Sequence, residues 1–181
     1  QLCSIPMYLC LLLPLLPDGA LRRAVLTFLQ DFGILGGIMA HLVPDGFLWE
    51  YITLTIHGFL WHFLLIFIGF YIAFSRQSDN TKAGYLSSLP LYGICCLIAT
   101  VINLSVQYFL WPYSYANMFY INPCFPSEQV VFRSIALTFG TPVGLISYLA
   151  ASCIGAFIVH WFCGKIAPSS STVIPEEIDS R

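Results

Sequence analysis

The chain has 181 residues, of which 58% are hydrophobic and only 9% charged. Soluble domains carry roughly 25% charge, so this balance, with a mean hydropathy of +0.81, points to an all-α polytopic transmembrane helix bundle. The net charge of −2 comes without any basic block, which sets nucleic acid aside as a partner.

Five spans are predicted from hydropathy, at 1–16, 24–43, 47–74, 84–110 and 134–163. The first begins with Gln1 rather than Met, so the visible chain is expected to start inside a longer protein. It has no basic residue before its apolar run, and Arg22 and Arg23 follow it, so it reads as a membrane helix and not a signal peptide. Its length is about 24 Å at helical rise, short of a ~30 Å hydrocarbon core, and the missing turn is expected upstream. The breaks carry stop chemistry: 17-PDGALRR-23, 44-PDG-46 and 75-SRQSDNTK-82. Segment 111–133, rich in Tyr, Asn and Pro, is too long for a plain turn and is expected to cap the bundle or re-enter it. Residues 1–163 thus form a transmembrane domain, and 164–181 a polar tail expected to be disordered.

Charge sets the predicted orientation. With five spans, Arg22, Arg23, Arg76, Lys82, Lys165 and Arg181 fall on one side and Arg133 alone on the other. Residue 1 is therefore expected outside and the C-terminus in the cytoplasm, with a bacterial cell membrane as the expected location. Trp49, Tyr51, Trp111 and Tyr113 gather at the outer junctions as an interfacial belt. An outward N-terminus implies an odd number of preceding helices, most simply one, giving six in the full-length protein.

The seven cysteines follow no metal-ligand spacing, and neither a disulfide framework, a metal nor a cofactor is expected. Cys10, Cys95, Cys96 and Cys153 sit in apolar runs as small hydrophobes. Cys163, where the last span meets the tail, is placed for S-palmitoylation.

Polar residues inside the spans carry the functional hypotheses. His57 lies roughly 15 Å below the outer end of the third span, and Cys3 and Asn103 belong to the same outer layer, with Gln107 about one turn higher than Asn103. Such a set suits acyl chemistry: imidazole takes the thiol proton, thiolate attacks a carbonyl, and the amide orients the imidazole or binds the oxyanion. The competing reading is plain packing for Cys3 and interhelical hydrogen bonding for Asn103. His62 points about 140° away from His57 and reads as a structural hydrogen-bonding residue. Glu50 shares the His57 face nearer the interface. Asp31 reads either as a proton relay or as a carboxylate paired with a neighbouring helix, where Gly33, Gly36 and Gly37 permit close approach.

Taken together, 1-QLCSIPMYL-9, 56-IHG-58, 102-INLSVQY-108 and 116-ANMFYINP-123 resemble the YwaF-like family of integral membrane proteins. That family is similar to a eukaryotic transmembrane acyltransferase of ether phospholipids that carries the acyl group on a membrane cysteine. That enzyme in turn is similar in architecture to small membrane hydrolases of fatty-acid esters that pair a threonine with a histidine. The resemblance implies Cys3 as nucleophile, His57 as general base and Asn103 as orienting or oxyanion group. It also implies substrate-binding roles for Asn117, Tyr120 and Gln107. Family members often have His-Leu-Cys where this chain has Gln1-Leu2-Cys3. The expected function is a membrane-embedded acyltransferase or lipid hydrolase whose partners are membrane lipids or acyl chains. The alternatives are a transporter or binding protein lined by Asp31, His41 and His57, and a non-catalytic membrane subunit.

Overall fold

The computed structural model describes residues 2–110 and 116–167. These form six α-helices: α1 (Ile5–Leu12), α2 (Ala20–Leu42), α3 (Ile52–Phe74), α4 (Lys82–Phe109), α5 (Val130–Phe139) and α6 (Thr141–Ile166). Four of them, α2, α3, α4 and α6, are long and apolar enough to cross a membrane. That is one fewer than the five predicted spans: the first, at Leu2–Leu15, is too short to count, whereas the last survives as α6 with a later start.

The apolar run at the start breaks into a 3-10 turn at Leu2–Ser4, the eight residues of α1, and a second 3-10 turn at Leu13–Leu15. Pro14 supplies no N–H to continue the α ladder, and the chain leaves in an extended conformation at Leu16. The last predicted span is cut at Gly140, whose φ of +99° favours glycine. Pro142 then starts α6, where its missing N–H costs nothing. The short α5 folds back on α6, and a Cβ at Gly144 would stand 2.6 Å from the Ala136 Cβ.

The helix α2 is the hub: every residue from Ala24 to Ile34 is buried. It runs antiparallel to α3 at a spacing set by glycines on both. A Cβ at Gly37 would lie 2.7 Å from the His62 carbonyl, and one at Gly69 would lie 2.4 Å from the Ile34 side chain. On another face, Phe32 stacks on Phe28 and on Tyr92 of α4, with ring centroids 4.9 and 4.6 Å apart. Cys163 is fully buried among Ile34 and Ala73. The expected lipid-modification point is therefore inside the bundle and not presented at its surface.

Residues 75–81, between α3 and α4, dip back against the hub. Gln30 donates to Asp31 and to Asn80, each at 2.9 Å, and accepts from Ser78 at 2.5 Å. The Asp79 N–H donates to Thr27 at 3.1 Å. His160 of α6 meets Asp31 at 2.9 Å through Nδ1 and the Thr81 carbonyl at 3.0 Å through Nε2. Thr81 also caps α4 by accepting from the Gly84 N–H at 3.2 Å. Of the two sequence readings of Asp31, the structure displays the pairing with a neighbouring helix. Arg22, Arg23, Arg76, Lys82 and Lys165 all sit at this end of the bundle, at or just beyond helix ends.

Removing one partner of a buried ion pair strands the other, at about 3–5 kcal/mol. His160→Ala is expected to destabilise the bundle by about that much in detergent unfolding, and Asp31→Asn by less, because its amide oxygen still accepts from Gln30. Asp79 gives a pH signature. Partial burial raises its carboxyl, but hydrogen bonds from Thr81 and the charge of Arg23 outweigh that and hold it below the ordinary value. A depressed folded value adds stability above the unfolded pKa of about 4, and this is lost as pH falls through the folded one. Asp79→Asn is expected to flatten that acid-side loss when unfolding is followed from pH 6 down to 3.

Candidate functional site

A cavity of about 290 Å³ opens at the end of the bundle opposite the basic residues. One wall is the C-terminal half of α2, from Phe32 to Val43; another is α6, at Tyr148, Ala151, Ser152 and Gly155. His62 of α3, Phe132 of α5 and the turn residues Phe119 and Tyr120 complete it, with Leu2 and Cys3 from the N-terminal segment. None of the lining residues is Asp, Glu, Lys or Arg. Such a space suits hydrocarbon and a neutral polar group better than an ion.

Cys3 is held from two sides. Its Sγ rests against α2 at Gly36, where an added Cβ would be 3.2 Å away. Its carbonyl accepts from the Trp61 indole N–H at 2.9 Å. Burial pushes the Cys3 thiol up from its ordinary value, so at neutral pH the sulfur is a protonated, weak nucleophile until a base takes its proton.

His62, buried on the face of α3 that also carries Gly58, Leu65 and Gly69, shares that cavity. Its Nδ1 is 2.7 Å from the Gly58 carbonyl. A carbonyl only accepts, so Nδ1 bears the hydrogen and Nε2 is the basic nitrogen. The ring is stacked on Phe47 at 4.9 Å. Phe47 reaches it because Gly58 has no Cβ; one there would fall 2.8 Å from the Phe47 ring. His57 is exposed on the opposite side of α3 and is not among the lining residues.

Asn103 is fully buried, and both ends of its amide are used. Nδ2 donates to the Met118 carbonyl at 3.1 Å, and Oδ1 accepts from the Met118 N–H at 2.7 Å. Asn117 Oδ1 accepts from the Asn122 N–H at 3.1 Å, and Asn122 donates to the Ala116 carbonyl at 2.7 Å and accepts from the Cys124 N–H at 2.9 Å. This scaffold holds Phe119 and Tyr120 at φ of 60° and 61°, a left-handed pair that costs roughly 1–3 kcal/mol per residue. Phe119 is buried against Cys95, Ala99 and Ile121, while Tyr120 borders the cavity. Of residues 116–129, Phe119, Tyr120 and Gln129 border the cavity; 111–115 lie outside the described residues. Asn117 and Gln107 are half-buried and do not line the cavity.

The structure therefore brings Cys3 and Tyr120 to one cavity, puts Asn103 behind the turn that carries Tyr120, and leaves His57 outside. His62, read from sequence as a structural hydrogen-bonding residue, does bond the Gly58 carbonyl, and it also lines the cavity together with Gln129 and Tyr148, which the sequence did not single out. Asp31, His41 and His57 line no common path: Asp31 is in the network with His160, His57 is exposed, and His41 is turned to Gly37 and Phe63. Among the described residues, no three His, Cys, Asp or Glu side chains converge as a metal site.

Four apolar helices long enough to span a bilayer, packed around a charge-free cavity, define a polytopic integral membrane protein. The model of the TMEM164 family matches residues 1–165, and the chain belongs to that family of transmembrane proteins. No curated protein and no solved structure matches the chain.

Asn103→Ala removes both bonds to Met118 and is expected to cost about 1–3 kcal/mol. Amides 116–124 should then exchange hydrogen faster, whereas Gln107→Ala should leave their protection unchanged.

Proposed function

We propose that this chain is a membrane-embedded thiol acyltransferase or acyl-lipid hydrolase, with Cys3 as nucleophile and His62 as base. The observation that carries the reading is that the Cys3 thiol and the His62 imidazole border the same charge-free apolar cavity. The resemblance of the sequence motifs to an acyl-carrying membrane enzyme supports it from a separate direction.

The chemistry follows from those groups. His62 Nε2 takes the thiol proton, and the thiolate attacks the ester carbonyl of an acyl lipid. The carbon–oxygen ester bond breaks, the leaving alkoxide takes the proton from His62, and a thioester remains on Cys3. A second hydroxyl, of a lysolipid or of water, loses its proton to His62 and attacks the thioester. The thiolate leaves and recovers the proton. The acyl chain enters the cavity from the bilayer while the charged head group stays at the mouth, since burying a phosphate beside no cation is prohibitive. By the positive-inside rule the basic end faces the cytoplasm and the cavity opens in the outer half of the membrane.

The test is a covalent one. An acyl-fluorophosphonate analogue being unsuited to thiols, a short-chain fluorescent thioester is incubated with membranes and transfer to protein is read on a gel. Cys3→Ala is expected to abolish labelling, and His62→Ala to slow it by about 10²–10⁴. His57→Ala should cost less than His62→Ala; the reverse order returns the role of base to His57. Labelling that persists undiminished in Cys3→Ala would sink the proposal.

A further inference from the structure

Attack on an acyl carbonyl builds negative charge on its oxygen, and a donor must already stand where that charge appears. Asn103, the sequence's candidate for this, is spent on Met118. Three side chains with hydroxyls border the cavity: Tyr120, Tyr148 and Ser152. Ser152 donates its hydrogen to the Tyr148 carbonyl at 2.9 Å, which removes it.

We infer that Tyr120 is the oxyanion donor, its phenol O–H aimed at the carbonyl oxygen of the acyl group undergoing transfer at Cys3, and that the left-handed turn clamped by Asn103 exists to hold it there. This rests on the reading of Cys3 as acyl carrier. Two consecutive non-glycine residues at positive φ are an unfavourable way to build a loop, and such strain gathers where geometry serves a site. Here it is braced by Asn103, Asn117 and Asn122 and anchored by buried Phe119. Tyr148, by contrast, sits on the regular helix α6, its ring edge-on to Phe132 at 5.1 Å and its phenol within reach of the Ser152 side chain.

The surroundings of the phenol agree. Tyr120 is close enough to Cys3 for the two groups to feel each other's charge. The Gln129 side-chain amide lies within hydrogen-bonding reach of the phenol oxygen. Burial raises the Tyr120 phenol above its ordinary value, with Glu128 and Cys3 adding to the effect, so it keeps its hydrogen at neutral pH. Asn103 in this scheme is a positioning residue; Tyr120 touches the reacting atoms.

The experiment is burst kinetics on the full chain in detergent micelles, with p-nitrophenyl octanoate as the acyl donor. Release of p-nitrophenol gives the rate of Cys3 acylation. Tyr120→Phe is expected to lower that rate about 10²–10³-fold with little change in half-saturating concentration. Asn103→Ala is expected to lower it in the same sense. Should Tyr120→Phe fail to fold, 3-fluorotyrosine at position 120 supplies the measurement: its more acidic phenol should move the alkaline fall of the rate to lower pH. Wild-type rates in Tyr120→Phe, a loss confined to half-saturation, a loss found in Tyr148→Phe instead, or an alkaline limb unmoved by fluorination would each overturn the assignment while leaving Cys3 as acyl carrier. A wild-type chain with no Cys3-dependent burst overturns both.

Discussion

A carboxyl group in the middle of an apolar bundle must be answered by its neighbours, and the answer to Asp31 organises this protein. His160 from α6 and Gln30 from the same helix turn to it, and through them the connection between α3 and α4 is drawn inward. Because the Thr81 carbonyl can only accept, His160 Nε2 carries a hydrogen, and one further proton lies between Nδ1 and Asp31. The pair is thus neutral overall yet polar enough to fix three elements in register. Networks of this kind specify one arrangement of a core more firmly than apolar contact does.

That arrangement divides α2 into two functional lengths. Thr27, Gln30 and Asp31 serve the polar lock, and Phe32, Leu35, Gly36, Met39 and Ala40 line the cavity. Asp31 and Phe32 are adjacent, so the floor of the cavity and the roof of the lock are the same turn of helix. The close packing of α2 and α3 at Gly37 and Gly69 then sets where His62 stands relative to Gly36, and so relative to the sulfur that rests on it.

Much of the bundle was legible in sequence because its signal is collective: three long apolar runs with polar breaks became α2, α3 and α4. The first predicted span is too short to cross, and the fifth is found as α6 but starts later than predicted, because hydropathy averages over Pro14 and Gly140, single residues that decide whether a backbone continues. The sequence correctly sent His57 and His62 to different faces, but it favoured the wrong face for cavity access. The clue was present: His62 shares a stripe with Gly58 and Gly69, and small residues mark the side where helices meet. Depth placed Asn103 near Cys3 but could not reveal what its amide would bond, since Met118 approaches through a turn whose positive φ no residue type announces.

The N-terminal segment differs from the rest in mechanical terms. The residues proposed as base and carbonyl donor are anchored, one on a spanning helix and the other on a braced turn. Cys3 instead rides on a 3-10 turn ahead of an eight-residue helix, tied to α3 by the Trp61 indole. The sulfur is therefore the compliant partner. What holds it is that one indole hydrogen bond and the packing of Leu2, Ile5 and Leu9 against the bundle core, without the glycine-set helix contacts that fix α2 on α3.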